Sequence, residues 1–198
     1  MRRVTACSLA VTGMLALAPA AGARVLLVGS YHGIRGQYRS IQAAVIVAKP
    51  GDWVLVGPGD YKTSTFSAPS GSADHPAGVL ITKAHLRLRG MNRNTVIVDG
   101  TKSGPACSRA EGDQNFGPSS SNGPLGSNGI LIWKANGVWV QNLTACNFLG
   151  GAGTAGNEVW WNGGDGSGQV GGWGFLGSFL NATNTFYKDE TSAAQYGI

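Results

Sequence analysis

The chain has 198 residues, a net charge of +5 and only 13% charged side chains, and 32 of its residues are glycine. This length is enough for one domain. The charge is mild and no run of Lys and Arg forms a basic patch, so the composition argues against a nucleic-acid partner. Abundant glycine beside many Asn, Ser and Thr residues predicts a fold of short strands and tight turns.

The first 23 residues have the pattern of a secretory signal peptide. Arg2 and Arg3 supply a positive start, residues 6–17 are a short apolar run, and residues 21–23 form a small-residue cleavage site. The apolar run is too short to span a bilayer as a helix, and no later segment is long enough. A buried N-terminal strand or helix is the alternative. We expect a mature chain of residues 24–198 without a transmembrane segment, secreted or extracytoplasmic, in the periplasm or at the cell surface.

Two short apolar runs, residues 25–28 and 53–56, predict strands. Between them, Ser40 is a suitable N-cap, and residues 40–49 carry apolar side chains at helical spacing before a Pro-Gly pair ends the helix. The apolar face of this predicted helix consists of Ile41, Ala44, Val45 and Ala48. One short helix followed only by strands suggests that the helix covers one end of a long β structure.

An internal repeat is the central feature of the sequence. Residues 78–91 align with residues 129–143, with one extra residue in the second copy. The alignment pairs Val79, Leu80 and Ile81 with Ile130, Leu131 and Ile132, and Leu86 and Leu88 with Val138 and Val140. Once the Gly/Ser/Pro/Asn-rich stretch of residues 101–127 is set aside, the spacing between the copies is a plausible length for one turn of a solenoid. Residues 95–98 predict a third strand.

Stacked coils would pair their backbones in parallel ladders about 4.8 Å apart. The two-residue period of a strand then separates the inner side chains from the outer ones. Those predicted to face inward are Leu86, Leu88, Val138 and Val140, and those predicted to face outward are Arg87, Arg89, Trp139 and Gln141. We therefore expect Arg87 to lie over Trp139, and Arg89 over Gln141.

Residues 41–45, 48–56 and 58–61 resemble the entry segment of the pectate-lyase-like right-handed parallel β-helix superfamily. That segment has an N-terminal cap helix, a Pro-Gly-Asp turn, a strand and a Pro-Gly-x-Tyr turn. Residues 95–99 and 142–144 are similar to coils of the same superfamily. The resemblance covers roughly residues 25–150 and implies an all-β solenoid with a short cap helix.

The same resemblance implies an exported protein that engages extracellular polysaccharide. The superfamily includes lyases, hydrolases, epimerases, carbohydrate-binding proteins and proteins without known activity, so the fold does not choose the chemistry. We expect either a carbohydrate-active enzyme, a polysaccharide lyase or a glycoside hydrolase, or a non-catalytic solenoid. The non-catalytic alternative covers carbohydrate-binding, structural and surface-adhesive proteins.

The last residues, 196–198, resemble residues 128–130, where a coil begins. No cap follows them, although a solenoid needs one because an exposed ladder recruits other chains. We therefore expect the sequence to be truncated at its C-terminus and its open edge to favour self-association. A short natural chain whose last strand docks elsewhere is the alternative.

Aromatic and basic side chains are the candidate carbohydrate contacts, because exposed rings can stack on sugar rings and arginine can bind or deprotonate an acidic sugar. The candidates are Trp139, Trp160, Trp161, Arg87 and Arg89. For the two arginines, solvation or stacking on Trp139 is the favoured alternative. Trp160 and Trp161 are adjacent and point to opposite faces of a strand, so only one can be buried.

No catalytic residue is identified by a motif, and no cofactor is evident. Asp99, Glu111 and Asp113 are the nearest group of carboxylates that could hold Ca²⁺. Calcium usually takes six to eight oxygen ligands, so three scattered acids favour solvated loop charges over a metal site.

Two cysteines remain after removal of the signal peptide, Cys107 and Cys146. An oxidising compartment would permit a bridge between them. Two free or separately paired thiols are the alternative, because spacing alone does not determine pairing.

Overall fold

The structure is a computed structural model that describes residues 22–153, 156–163, 173–189 and 197–198. The predicted signal peptide lies, except for its last two residues, outside the described residues, and so does Tyr196. No helix among the described residues is long and apolar enough to cross a bilayer. In chain order the elements are β1 (Val25–Val28), β2 (Ser30–Tyr31), β3 (Ile34–Arg35), α1 (Ile41–Val47), β4 (Trp53–Val56), β5 (Gly59–Lys62), β6 (Ala77–Ile81), β7 (Arg87–Gly90), β8 (Val96–Asp99), a 3-10 turn (Glu111–Asp113), β9 (Ser119–Ser120), β10 (Gly123–Pro124), β11 (Asn128–Trp133), β12 (Trp139–Gln141), β13 (Thr144–Cys146), β14 (Val159–Asn162), β15 (Leu176–Ser178) and β16 (Asn181–Thr183).

The protein is mostly β, with three parallel sheets and little helix. Sheet I has the order β1-β4-β7-β12-β15, sheet II the order β5-β8-β13-β16, and sheet III the order β6-β11-β14. The chain visits sheets I, II and III in turn, and each new set of three strands pairs with the set before it. We call one such set a coil.

The register confirms the alignment of the internal repeat. In sheet III, Val79 and Ile81 pair with Ile130 and Ile132. In sheet I, Arg87 pairs with Trp139, and Arg89 with Gln141, as expected. Because parallel pairing joins equivalent positions, the apolar residues of one coil lie next to the equivalent apolar residues of the next coil.

The core lies between the three sheets. Sheet I contributes Val54, Leu88 and Val140, which occupy one register position and are fully buried. Sheets II and III add stacked positions of the same kind: Val98 and Ala145, and Val79, Ile130 and Val159. Leu86 and Val138, predicted to face inward, are also fully buried. Continuous columns of apolar side chains therefore stabilise the stacking.

Helix α1 forms where helical spacing predicted it, and it is shorter by a few residues. The Ser40 side chain accepts a hydrogen bond from the backbone N–H of Ala43, as an N-cap does. The predicted apolar face is buried: Ile41, Ala44, Val45 and Ala48. The helix ends at Val47, and Ala48 is already extended. The next residue, Lys49, directly precedes Pro50 and so also disfavours helical backbone. The helix packs against β6, β1 and β4.

The Pro-Gly-x-Tyr segment is a strand rather than a turn. Gly59 begins β5, which pairs with β8 in parallel along its full length. The backbone ladder of sheet II therefore overrides the turn preference of the Pro-Gly pair. At the other end of the chain, the carbonyl of Gly197 accepts a hydrogen bond from the Val159 N–H. The same bond joins Ile130 to Glu158 one coil earlier, so Gly197 takes the position of a coil start.

The long segment between β8 and β11 covers the outer face of sheet II. A disulfide joins Cys107 in this segment to Cys146 in β13, so the alternative of two free thiols is wrong for this structure. The hydroxyl of Thr185 donates to the carbonyl of Cys107 at 2.6 Å. These bonds attach an otherwise irregular segment to two successive coils.

Candidate functional site

An arginine lies between two tryptophans on the outer face of sheet I. Strand alternation places Trp53, Arg87 and Trp139 at one register position of three successive strands. The guanidinium carbon of Arg87 is 5.1 Å from the ring centroid of Trp53 and 4.6 Å from that of Trp139. Both distances lie within about 6 Å, the range of a cation–π contact. We call these three residues the Trp-Arg-Trp stack.

The guanidinium edge of Arg87 is available to a ligand. Among the described residues, no oxygen accepts a hydrogen bond from it and no carboxylate pairs with it. A guanidinium carries five N–H donors in its plane, and stacking occupies only its two faces. The stack therefore orients a cationic donor edge and leaves that edge without a protein partner.

A groove of about 470 Å³ runs beside the stack. Besides Arg87 and Trp139, it is lined by His85, Asn136, Gly137, Trp173 and Gly174. Trp173 is 67% exposed, and its backbone N–H donates to the Asn136 side chain at 3.1 Å. The indole N–H of Trp139 donates to the carbonyl of Gly174 at 3.2 Å. The Trp139 ring is thus held at the groove by its own hydrogen bond, and the backbone of Trp173 is held there by the Asn136 side chain.

The floor of the groove is built from stacked turns that connect sheet III to sheet I. The His85 N–H donates to the carbonyl of Asn136 at 2.7 Å, and the Gly137 N–H to that of Trp173 at 2.6 Å. Gly137 has a φ of 68°, and a Cβ there would collide with Nδ1 of the His85 ring. Only glycine adopts this positive φ without strain and also leaves room for the His85 ring. The turn therefore keeps the groove open next to His85.

The charge of the groove is positive. Of the described residues that line it, none is acidic, and Arg87 is a permanent cation. Aromatic rings offer broad apolar contact, and the arginine edge offers a fork of donors that matches a carboxylate. This combination can hold an anionic ring-shaped ligand, and the described lining of the groove contains no carboxyl group.

Only part of the predicted contact set lies at this groove. Arg87 and Trp139 meet there, whereas Arg89 lies two residues farther along β7 beside Gln141. Trp160 and Trp161 belong to sheet III and point to opposite sides, as predicted. The indole N–H of Trp161 donates to the carbonyl of Val138 at 3.3 Å while its ring packs against the core.

The ring of Trp160 stacks on His75, with centroids 5.6 Å apart and planes at 23°. The Trp133 ring meets the same histidine edge-on at 5.0 Å. These contacts form a second aromatic cluster on sheet III. They pack a loop against the sheet, and so they do not extend the groove.

The three carboxylates considered for calcium do not converge. Glu111 pairs with Lys188 at 2.6 Å, and Asp113 accepts hydrogen bonds from the hydroxyls of Ser103 and Ser108. Asp99 is buried elsewhere, against β5. Within the described part of the chain, no group of three or more His, Cys, Asp or Glu side chains is placed to hold a metal ion.

Asp99 is instead the anchor of a lysine. Its Oδ2 accepts hydrogen bonds from Lys62 Nζ at 2.8 Å and from the Cys107 N–H at 3.0 Å, and its Oδ1 accepts one from the Thr101 N–H. Burial alone would raise the pKa of Asp99, but these bonds outweigh burial and lower that pKa. Lys62 also pairs with Asp60 at 3.0 Å. Burial raises the pKa of Asp60, and the nearby Asp99 raises it further.

Two residues are not among the predicted contacts: Trp53 of the Trp-Arg-Trp stack and Trp173 of the groove. Trp53 belongs to a coil that the repeat alignment does not include, so its register with Arg87 is not visible in the sequence. Trp53 does open an apolar run that precedes a Pro-Gly turn, and this run resembles the sequence of β7. That resemblance could have predicted the position of Trp53 beside Arg87. Trp173 lies in an irregular turn, where no periodic pattern predicts direction.

Neither models of protein families nor curated proteins match the sequence. Among solved structures, the chain is similar to a mutant pectin methylesterase in complex with a hexasaccharide, with a TM-score of 0.37 and 15% identity. It is also similar to the pectin methylesterase PemA from Erwinia chrysanthemi, with a TM-score of 0.36 and 15% identity. Each alignment covers 80% of this chain and 39% of the other. The chain thus spans about two fifths of these proteins, and a likeness of this size carries no argument about activity.

Proposed function

We propose that the protein is an exported right-handed parallel β-helix that binds an acidic extracellular polysaccharide in the groove beside the Trp-Arg-Trp stack. The cyclic visiting of three parallel sheets supports the β-helix. The charged start, apolar run and small-residue site of the first 23 residues support export. An exported protein meets polymers outside the cell, and this groove offers them rings and a cation.

The orientation of Arg87 carries this proposal. A lone surface arginine is mobile and loses side-chain entropy when it binds a ligand. Here the rings of Trp53 and Trp139 lie on either side of the guanidinium and restrict its motion, so its donors need less ordering when a ligand arrives. A carboxylate on a sugar ring can accept two parallel hydrogen bonds from that edge. The ring itself can contact the exposed indole of Trp173.

The groove supports binding better than cleavage. Glycoside hydrolysis generally requires two carboxyl groups on either side of the bond that breaks. The described lining of the groove contains none, and its one imidazole, His85, has no carboxylate partner among the described residues. We therefore place the groove in the carbohydrate-binding class. The activity of any longer protein that contains this chain is a separate question.

Affinity electrophoresis tests the proposal. The protein is run through gels that contain either polygalacturonate or a neutral polymer such as galactan, and its mobility is compared with that in a blank gel. We expect retardation by the acidic polymer that weakens as salt is added. Unchanged mobility in every polymer would contradict polysaccharide binding. Equal retardation by both polymers would contradict the role of Arg87.

Cleavage is tested in the same samples by following the ultraviolet absorbance of unsaturated sugar products, with and without Ca²⁺. We expect no increase. A steady increase would show that the protein is a lyase and that the assignment to the binding class is wrong. Export is tested by mass spectrometry of protein recovered from the medium, which should begin at Arg24.

A further inference from the structure

A second cleft, of about 340 Å³, lies on another side of the molecule, between the start of α1 and strand β5. Residues 39–42 form one wall and residues 60–65 the other. Its size falls within the range of about 300 to 1,000 Å³ that is typical of small-molecule sites. The groove described above lies on the outer face of sheet I and shares no lining residue with this cleft.

The cleft exposes the one sheet edge at this end of the protein that the described chain does not cover. The edge of sheet I is covered because the Tyr38 N–H donates to Leu27 O and the Leu27 N–H to the Gln37 side chain. The edge of sheet III is covered by Gln42, whose side-chain amide both donates to Leu80 O and accepts from Leu80 N. A glutamine side chain thus takes the place of a strand.

Strand β5 has no such cover. The backbone N–H groups of Gly59 and Thr63 donate to the carbonyls of Thr95, just before β8, and Asp99, at its end. Alternation turns the backbone of Asp60 and Lys62 the other way, towards the cleft. In the described part of the chain, these backbone groups have no hydrogen-bond partner. The open edge of β5 therefore offers a ligand backbone donors and acceptors at fixed positions, next to the side chains of the cleft.

Side chains add further polar groups. Among the described residues, no partner engages the guanidinium of Arg39 or the hydroxyls of Thr63, Ser64 and Thr65, all of which line the cleft. The Asp60 carboxyl is partly exposed there and is held by Lys62 at 3.0 Å. Lys62 in turn is fixed by Asp99 and by the Thr101 hydroxyl, each at 2.8 Å.

The charges at the cleft balance, and part of its lining is apolar. Two cations, Arg39 and Lys62, line it with the anion Asp60, and the buried Asp99 pairs with Lys62 behind the lining. The apolar residues Ile41, Val79 and Val98 and the aromatic Tyr61 also line it. A neutral ligand with an apolar face and a rim of hydroxyl groups matches such a surface, whereas an ion does not.

We propose that this cleft binds a neutral, hydroxyl-rich ligand the size of one or two sugar rings, held by the open edge of β5 and by the Asp60 carboxyl. The site is independent of the polysaccharide groove and of the function proposed for it. An extended peptide could also add to a strand edge. Only two residues present their backbone here, which is too short an edge for a stable added strand, so the hydroxyl groups favour the saccharide.

The test uses the ¹⁵N-labelled protein and follows backbone amide shifts by nuclear magnetic resonance. Galactose, cellobiose, galacturonate and a short extended peptide, tetra-alanine, are titrated separately. We expect saturable shifts at the amides of Asp60, Lys62 and Ser64 with a neutral sugar. Galacturonate should produce weaker shifts there, because the cleft has no excess of positive charge.

Three variants make the result specific. Asp60→Asn leaves the bond between Lys62 and Asp99 in place and should weaken sugar binding by about tenfold, the effect of one lost charged hydrogen bond. Ser64→Trp should fill the cleft and remove the shifts. Arg87→Ala, in the other groove, should leave them unchanged, so this site and the groove can fail separately.

The proposal is overturned if no neutral sugar moves these amides, or if the shifts persist in Ser64→Trp. It is also overturned if tetra-alanine moves them and the sugars do not, since the edge would then be a peptide site. Dispersed amide signals in each variant show that it is folded.

Discussion

Arg87 and Trp139 face one another on adjacent coils, with the guanidinium carbon 4.6 Å above the indole centroid. The contact exists because parallel pairing brings equivalent positions of successive coils together. Trp53 repeats the contact from the opposite side at 5.1 Å. A stacking pattern that serves the fold therefore also orients a cation at the surface.

Trp173→Ala should weaken binding of acidic polysaccharide by about three- to tenfold, the contribution of one lost stacking surface. The ring is 67% exposed, so its removal should leave the thermal midpoint unchanged. Isothermal titration calorimetry and differential scanning calorimetry measure the two quantities. Phe179→Ala, at another exposed ring (70%), is the control. Equal losses in both variants would argue for a general effect of exposed rings instead of this groove.

Helix α1 offers a matched pair for stability. Ala44→Asp places a charge at a fully buried position and should lower the free energy of unfolding by several kcal/mol. Ile46→Asp, at a 62% exposed position of the same helix, should cost less than about 1 kcal/mol. Urea unfolding followed by circular dichroism separates the two. Equal midpoints would mean that the helix does not pack on the core as described.

Glu158 gives the protein a dependence on pH. Its side chain is buried, and among the described residues Oε2 has no hydrogen-bond partner, while Oε1 accepts from the Phe148 N–H at 3.3 Å. Burial raises the pKa of Glu158 well above its usual range. The native state therefore keeps a proton that the unfolded state releases, and stability falls as pH rises from the unfolded pKa towards the native one.

Glu158→Gln removes this titration. We expect the variant to be more stable than the original protein at pH 8, with a smaller difference at pH 5. Each unit by which the native pKa exceeds the unfolded one contributes about 1.4 kcal/mol. Urea midpoints at the two pH values test this. A variant that is less stable at pH 8 would show that the charged form is stabilised after all.

The disulfide predicts a thiol count. The expected mature chain from Arg24 has two cysteines, Cys107 and Cys146, and the bridge uses both. Titration of the denatured, unreduced mature chain with a thiol reagent should find no thiol, and two after reduction. Replacement of Cys107 and Cys146 by serine should lower the free energy of unfolding by about 2 to 4 kcal/mol. Two thiols before reduction would contradict the bridge.

The sequence predicted those parts of the fold that repeat. Strands β1 and β4 have the predicted bounds, and the pairing of Arg87 with Trp139 follows from aligning two copies. Periodicity carries this information because each strand alternates its faces and each coil stacks on an equivalent one. The resemblance supplied the expectation of a β-helix, which no local pattern determines.

The sites were less predictable, because they depend on contacts between coils and loops. Asp99 was considered a metal ligand, yet a loop without periodic pattern folds over it and supplies the N–H group of Cys107. Its pairing with Lys62 depends on β5, which was expected to be a turn. Trp173 also lies in a turn. Tertiary packing determines the directions of side chains in such segments, and no pattern in the sequence predicts them.

The central claim is that the oriented guanidinium edge of Arg87 binds a carboxylate group of a polysaccharide. Its most direct test is a calorimetric titration of the protein with polygalacturonate and with the fully methyl-esterified polymer, which keeps the sugar rings and removes the charge. Arg87→Ala and Arg87→Lys are compared with Arg35→Ala, which removes an equal charge from the exposed strand β3. We predict binding of the acidic polymer alone, a loss of about tenfold or more in both Arg87 variants because lysine cannot present a planar fork, and no change in Arg35→Ala. Equal affinity for the two polymers, or equal losses at Arg35 and Arg87, would contradict the account.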